Sequence, residues 1–346
     1  MMSRTRRIRR IAPVAAIVVA VGLTTRWGTA NTSVQPAVDG AYAKYKNLQE
    51  GKNADYIPAL AHVDPNLFGI AVVAPDGKIY TAGDVKTEVS IQSVSKVFTM
   101  ARVIQDQGPD AIEKNIGVDA TGMRFNSIVA IEIAKKELGG PELNALVNPG
   151  AITATSMVKG ATADDVWAKI IGTHNDFAGR PLTVLQDVYK SESDSNERNQ
   201  AIGMLMYAYG YIKANPDRAT DLYTRQCSIG VNAKDLAMMA ATLAFGGRNP
   251  ITGKQAIDAA NVPYVLAVMA TAGLYDDSGK WLYHTGLPAK SGVGGGIIAV
   301  SPGRFGIAVV SPPLDEAGNS VRAQKAIRDI SQALHGNPYA GKATVN

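Results

Sequence analysis

Apolar and polar positions along the chain follow two periods, and the points where one gives way to the other outline the fold. Val38, Tyr42, Tyr45 and Leu48 recur at helical spacing, so residues 31–50 begin polar and then turn helical. A hairpin is predicted next: Phe68 to Val73 is apolar and β-branched, Asp76-Gly77 is a turn pair, and Lys78 to Ala82 returns. Ser93 to Gln107 reads as a helix that stops at Gly108. From there to about Asn261 the pattern is mostly helical, with loops at 139–141, 191–196 and 246–253. Ala201 to Ala208 and Lys234 to Phe245 are rich in Ala and Met, and Met204, Met206, Met238 and Met239 are expected to fill the core.

Strand character returns late. Gly286 to Ser291, Gly296 to Ser301 and Phe305 to Ser311 are short runs parted by Gly-rich and Pro-Gly turns, a meander. Ser320 to Leu334 then sets Val321, Ile327, Ile330 and Leu334 on one helical face, with Gly336 expected as its C-cap. The predicted architecture is α/β of the α+β kind, with one antiparallel sheet built from both termini and a helical domain inserted between. The boundaries are a sheet domain of 38–92 and 262–335, a helical domain of 93–261, and a tail of 336–346.

Composition changes this picture at one end only. The 346 residues carry 35 basic and 30 acidic side chains, with a pI near 9.1. Six of the arginines (4, 6, 7, 9, 10 and 26) lie in residues 1–30, where no acid occurs. The body is therefore close to neutral and has no basic excess for binding nucleic acid. An Arg-rich start, an apolar run from Ile11 to about Thr24 and the small residues Gly28-Thr29-Ala30 read as an export signal over 1–30. The protein is expected outside the cytoplasm, periplasmic or secreted, with an uncleaved N-terminal anchor as the alternative. The one cysteine, Cys227, is expected to be a small buried hydrophobe, and His174 and His284 to be structural.

The sharpest chemical signal is Ser93-Val94-Ser95-Lys96 at the start of a helix. Residues three apart share a helical face, so Lys96 can reach the Ser93 hydroxyl, and burial would lower its pKa enough to make it a base. The first-turn N–H groups favour developing negative charge there. A capping serine beside a solvated lysine would look the same. Lys290-Ser291-Gly292-Val293, on a late strand followed by more glycines, separates the two. A Ser-x-x-Lys helix with a Lys-Ser/Thr-Gly strand is the pairing of penicillin-binding proteins and class A β-lactamases. Together they point to serine acyl transfer.

From about residue 38 to 335 the chain resembles the serine-dependent glutaminases, which have a β-lactamase-like fold. The resemblance rests on Gly51-Lys-Asn-Ala-Asp-Tyr56-Ile-Pro-Ala-Leu60, Ile91-Gln-Ser-Val-Ser-Lys96-Val-Phe98, Glu197-Arg-Asn199, Gln226-Cys-Ser228 and Ala241-Thr-Leu-Ala244. Gly286-Leu-Pro-Ala-Lys-Ser-Gly-Val293 and Ser311-Pro-Pro-Leu-Asp315 are the most specific blocks. It implies that Ser93 attacks the side-chain amide of L-glutamine and that Lys96 takes its proton. The N–H groups of Ser93 and Val293 would form the oxyanion hole. Tyr56, Tyr223 and Tyr275 would line the site, one of the last two relaying a proton to ammonia. Asn148, Glu192 and Asn199 would hold the amino-acid end. Water would release glutamate, with no metal or organic cofactor, and a homodimer or homotetramer is implied.

Such a pocket suits a zwitterion, which needs a carboxylate for its ammonium and donors for its carboxylate. Simpler roles exist for some of these residues: Asn199 could cap the helix after it, and Tyr223 and Tyr275 could be ordinary half-buried aromatics. One departure from the family stands out. Pro149 follows Asn148 where alanine is usual, and proline should push Asn148 toward an extended conformation. The rival readings are a β-lactamase or DD-peptidase-like hydrolase and a glutamine-binding protein without turnover.

Overall fold

The computed structural model describes residues 31–140 and 143–340. The expected export signal at 1–30 lies outside them. The sheet forms as the pattern requires: β1 (Gly69–Val73) and β2 (Ile79–Gly83) make the N-terminal hairpin. Two short strands, β3 (Val89–Ser90) and β4 (Gly230–Val231), pair in a separate ladder. The C-terminal meander is β5 (Ala289–Ser291), β6 (Gly296–Ser301) and β7 (Phe305–Val310). The main sheet is antiparallel in the order β2-β1-β7-β6-β5, so the first hairpin joins the last meander at the β1–β7 pair.

Alternation along these strands divides the core. Ile70, Val72, Ile297, Ile307 and Val309 face the terminal helices Asn31–Tyr45 and Val321–Ala333, meeting Val34, Val38, Ile327 and Ile330. Ala71, Val73, Ile298, Ala308 and Val310 face the opposite way, into a core shared with the helical region. There the helix Ala233–Ala244, started by an Asn232–Asp235 capping box, lies on β1, β6 and β7. Its alanines let it come close, and Gly306 completes the fit: a Cβ there would sit 2.1 Å from the Ala241 nitrogen. Covered on both faces, the strands read as nearly continuous apolar runs.

Several expectations need correction. Strand structure does not begin at Gly286, which ends a helix, Ser278–Thr285, in a left-handed conformation. That helix and Val262–Ala272 fill 262–285, to which the hydrophobic pattern assigns no element. Met206, Met238 and Met239 are buried, but Met204 is 50% exposed. Two helical steps turn about 200°, so Met204 and Met206 cannot share a face. His174 is buried and bonds the Ile170 carbonyl, whereas His284 is exposed beside Tyr283. At the end of the last helix the left-handed residue is His335 (φ 52°), not Gly336. His335 and Gly336 donate to the Gln332 and Ser331 carbonyls, a Schellman closure. Gly336 is needed for space, because a Cβ would lie 2.6 Å from the Phe305 ring.

Candidate active site

Ser93 sits in a 3-10 turn, Gln92–Val94, that leads directly into the helix Ser95–Gln107. That helix buries Val97, Phe98, Met100, Ala101, Val103 and Ile104, turns an Arg102–Asp106 pair outward, and ends at Gly108 with φ 83°. The turn is held in an unusual shape. Gln92, with a side chain, adopts φ 51°. Its amide nitrogen donates to Ser90 Oγ at 3.0 Å and to Glu192 Oε1, while Ser95 Oγ donates to its carbonyl at 2.7 Å.

The late glycine-rich segment lies against this turn. A Cβ on Gly292 would approach the Ile91 carbonyl oxygen to 2.8 Å, and one on Gly294 the Ser90 oxygen to 2.5 Å. The two motifs, about two hundred residues apart in sequence, are thus in backbone contact, which only glycine permits. Among the described residues neither the Ser93 nor the Val293 N–H donates to a protein acceptor. Both remain free for an oxyanion.

Lys96 is buried, and its Nζ donates to Asn148 Oδ1 at 2.7 Å and to the Leu146 carbonyl at 3.4 Å. The Phe125 and Tyr223 rings lie 6.0 and 5.7 Å from it. Loss of water brings its pKa down to about 7. No direct Ser93–Lys96 hydrogen bond forms among the described residues; the Ser93 hydroxyl lies near that of Tyr275 and works against the rise that burial gives the phenol's pKa. Tyr275 has φ 55°, is buried, donates to the Ser291 carbonyl at 3.1 Å and holds its ring 4.7 Å from that of Phe125, tilted by 39°. Burial raises its pKa and that of Tyr223 well above the ordinary phenol value.

Asn148 is the first residue of the helix Asn148–Met157, not extended. Pro149 costs nothing there, because the first N–H groups of a helix have no internal acceptor to lose. Asn148 Oδ1 also accepts from Tyr223 at 3.1 Å, and its Nδ2 donates to Asn199 Oδ1 at 2.9 Å. Asn199 lies inside the helix Glu197–Ala208 and makes no cap; its Nδ2 donates to Asn196 Oδ1 at 2.8 Å. One N–H on each asparagine is left over.

Tyr56, Ser93, Asn148, Glu192, Asn199, Tyr223 and Val293 all line one cleft of about 120 Å³. Lys96 and Tyr275 stand directly behind it. Glu192 lies in the last turn of the helix Gln186–Ser193, and burial pushes its carboxyl up to about 7 despite the Gln92 bond. Tyr56 is 57% exposed at the rim. Cys227 reaches the cleft, but burial drives its pKa up to about 12 and it stays a thiol. Among the described residues no group of three or more His, Cys, Asp or Glu is arranged to hold a metal ion.

Sequence reasoning left three contributors without roles. Gln92 stood unassigned beside Ser93. Lys290 has no role in the sequence pattern beyond its motif; it is buried, donates to the Gly273 and Ser291 carbonyls at 3.0 and 2.6 Å, and lies 4.2 Å from the Tyr275 ring. Asn196 had no local signal at all.

The family model for glutaminases matches residues 51–339. The chain belongs to the glutaminase family. It is 54% identical over 306 residues to a glutaminase of Colwellia psychrerythraea, covering 88% of this chain and 97% of that one. A Mycobacterium marinum glutaminase is 49% identical over 304 residues, with 88% and 94% covered. Among solved structures, a probable glutaminase superposes with a TM-score of 0.87 at 46% identity, covering 90% of this chain and 99% of the other. A structure described as Mglu in its glutamate form gives 0.83 at 33%, covering 89% and 70%.

Proposed function

We propose that this glutaminase-family chain hydrolyses L-glutamine to L-glutamate and ammonia through an acyl-enzyme on Ser93. The observation that carries the reading is the contact between the Ser93 turn and the Gly292–Gly294 segment, which brings a nucleophile beside two unused N–H donors. Neutral Lys96 takes the Ser93 proton as Oγ attacks the amide carbon, and the Ser93 and Val293 N–H groups receive the oxyanion. Tyr275, beside Ser93, gives its phenol proton to the departing ammonia and takes up in its place the proton that Lys96 received, which leaves Lys96 neutral again; its high pKa keeps it a donor. Water then attacks the ester with Lys96 as base, and glutamate leaves.

At the other end of the cleft Glu192 receives the substrate's ammonium, and the spare N–H groups of Asn148 and Asn199 meet its carboxylate. The relatives' names and the structure described in a glutamate form support this choice of substrate. The N-terminal pattern supports export from the cytoplasm, and the family resemblance supports a homodimer or homotetramer. The test is release of ammonia from glutamine, beside hydrolysis of a chromogenic cephalosporin, by protein beginning at Asn31. Ammonia from glutamine with the cephalosporin untouched is expected. The opposite pattern replaces this reading with a β-lactamase.

A further inference from the structure

The hydrogen bonds behind Lys96 form a chain with a direction. Lys96 Nζ donates to Asn148 Oδ1, Asn148 Nδ2 to Asn199 Oδ1, and Asn199 Nδ2 to Asn196 Oδ1. Asn196 Nδ2 donates to Thr224 Oγ1 at 2.7 Å, and Thr224 Oγ1 donates to the Thr220 carbonyl at 2.9 Å. The last partner fixes the rest. A main-chain carbonyl only accepts, so the single Thr224 hydroxyl hydrogen is committed to it, and the hydroxyl must accept from Asn196. Asn196 therefore turns its oxygen to Asn199, and each amide in turn presents oxygen toward Lys96.

We propose that Asn196 and Thr224 are positioning residues for the base, fixing the polarity of the amide chain so that Asn148 offers Lys96 an oxygen. A neutral amine has two N–H bonds and one lone pair. With the N–H bonds held by the Asn148 and Leu146 oxygens, the lone pair is left for the Ser93 proton. If the chain ran in reverse, the Asn148 NH₂ would donate to that lone pair and block it. The same chain aims the spare N–H groups of Asn148 and Asn199 into the cleft. This inference rests on Lys96 acting as base.

The titratable groups that surround Lys96 are Tyr223 and Cys227 on the helix Pro216–Cys227 and Lys290 on β5. All three are unchanged in the variants that test the chain. Asn196→Leu and Thr224→Val remove the anchor and free the amides to turn over. With glutamine as substrate, both are expected to lower kcat about 10- to 100-fold. Because a reversed Asn148 favours the neutral amine, the acidic limb of the kcat profile should move to lower pH. The kcat limb is the appropriate readout, since in the substrate complex Glu192 is ion-paired and stays ionised.

Thr224→Ser, which keeps the hydroxyl, should restore both rate and limb. Thr224→Val is nearly isosteric, so it decides the matter if Asn196→Leu does not fold. A wild-type profile in Thr224→Val, or a lower rate with an unmoved limb, overturns the relay. Lys96→Ala separates the two levels: if it stays active the base assignment fails, whereas if it is dead while Thr224→Val behaves as wild type, only the relay fails.

Discussion

Burial of the Lys96 amine strips away the water that would solvate an ammonium, and the fold carries that cost, which leaves the amine able to lose its proton near neutral pH. The cost has a sign that can be read. The folded-state pKa, about 7, lies below the ordinary 10.5, so the folded state binds the Lys96 proton less readily than the unfolded state. The resulting destabilisation is absent above about pH 10.5, grows as pH falls, and is complete below about pH 7. Lys96→Met removes it. Its stability relative to wild type should therefore improve by about 2–4 kcal/mol between pH 10 and pH 7 in denaturant titrations; a pH-independent difference would mean the amine is not perturbed. Glu192, likewise pushed up to about 7, should act mainly on binding. Glu192→Gln is expected to raise KM about 10- to 100-fold with a smaller change in kcat, measured by steady-state ammonia release. Of these residues, Ser93 and Lys96 were legible from their spacing, Tyr56, Asn199 and Val293 from the family blocks, and Asn148, Glu192 and Tyr223 only from the wider family resemblance. Asn196 was not, because its hydrogen bonds arise only when two helices set its amide between Asn199 and Thr224.

Secondary-structure elements were legible where one period ran long enough to be counted. The hairpin, the meander and the terminal helices were; β4, two residues long, carried no period to detect. Gly336 was the right signal for a helix end and the wrong residue for the left-handed position. Sequence shows that a glycine is needed nearby, not whether φ or space requires it. The distinction is measurable. His335→Gly should stabilise by about 0.5–1 kcal/mol, since the left-handed conformation would no longer oppose a Cβ. Gly306→Ala should destabilise by about 1–3 kcal/mol, because its methyl would press on the Ala240–Ala241 backbone where the helix lies on β7. Urea midpoints of the two variants give both signs; equal effects would refute the packing described at each position. Pro149 shows the complementary error: as an isolated dipeptide preference it argued for extended structure, but at a helix start its missing N–H is harmless.

At the scale of the molecule, the site exists because distant parts of the chain close on each other. The first hairpin and the last meander join through β1 and β7, and the same closure carries the Lys290–Gly294 segment to the Ser93 turn. The antiparallel sheet built from both termini followed from the placement of the strand-like runs. The depth to which helical structure continues, to Thr285, did not, because Val262–Ala272 is apolar enough to suit either kind of element. Protein beginning at Asn31 should keep this site, and light scattering after size exclusion should give a mass of two or four chains; a single-chain mass would remove the oligomer from the account. The central claim is that one alcohol, where the Ser93 turn meets the Gly292–Gly294 segment, performs the chemistry. The most direct measurement is ammonia release from saturating glutamine by Ser93→Ala beside the wild type, with matching circular dichroism. The account predicts steady turnover in the wild type and none above background in the variant; ammonia formed by Ser93→Ala at a comparable rate would contradict it.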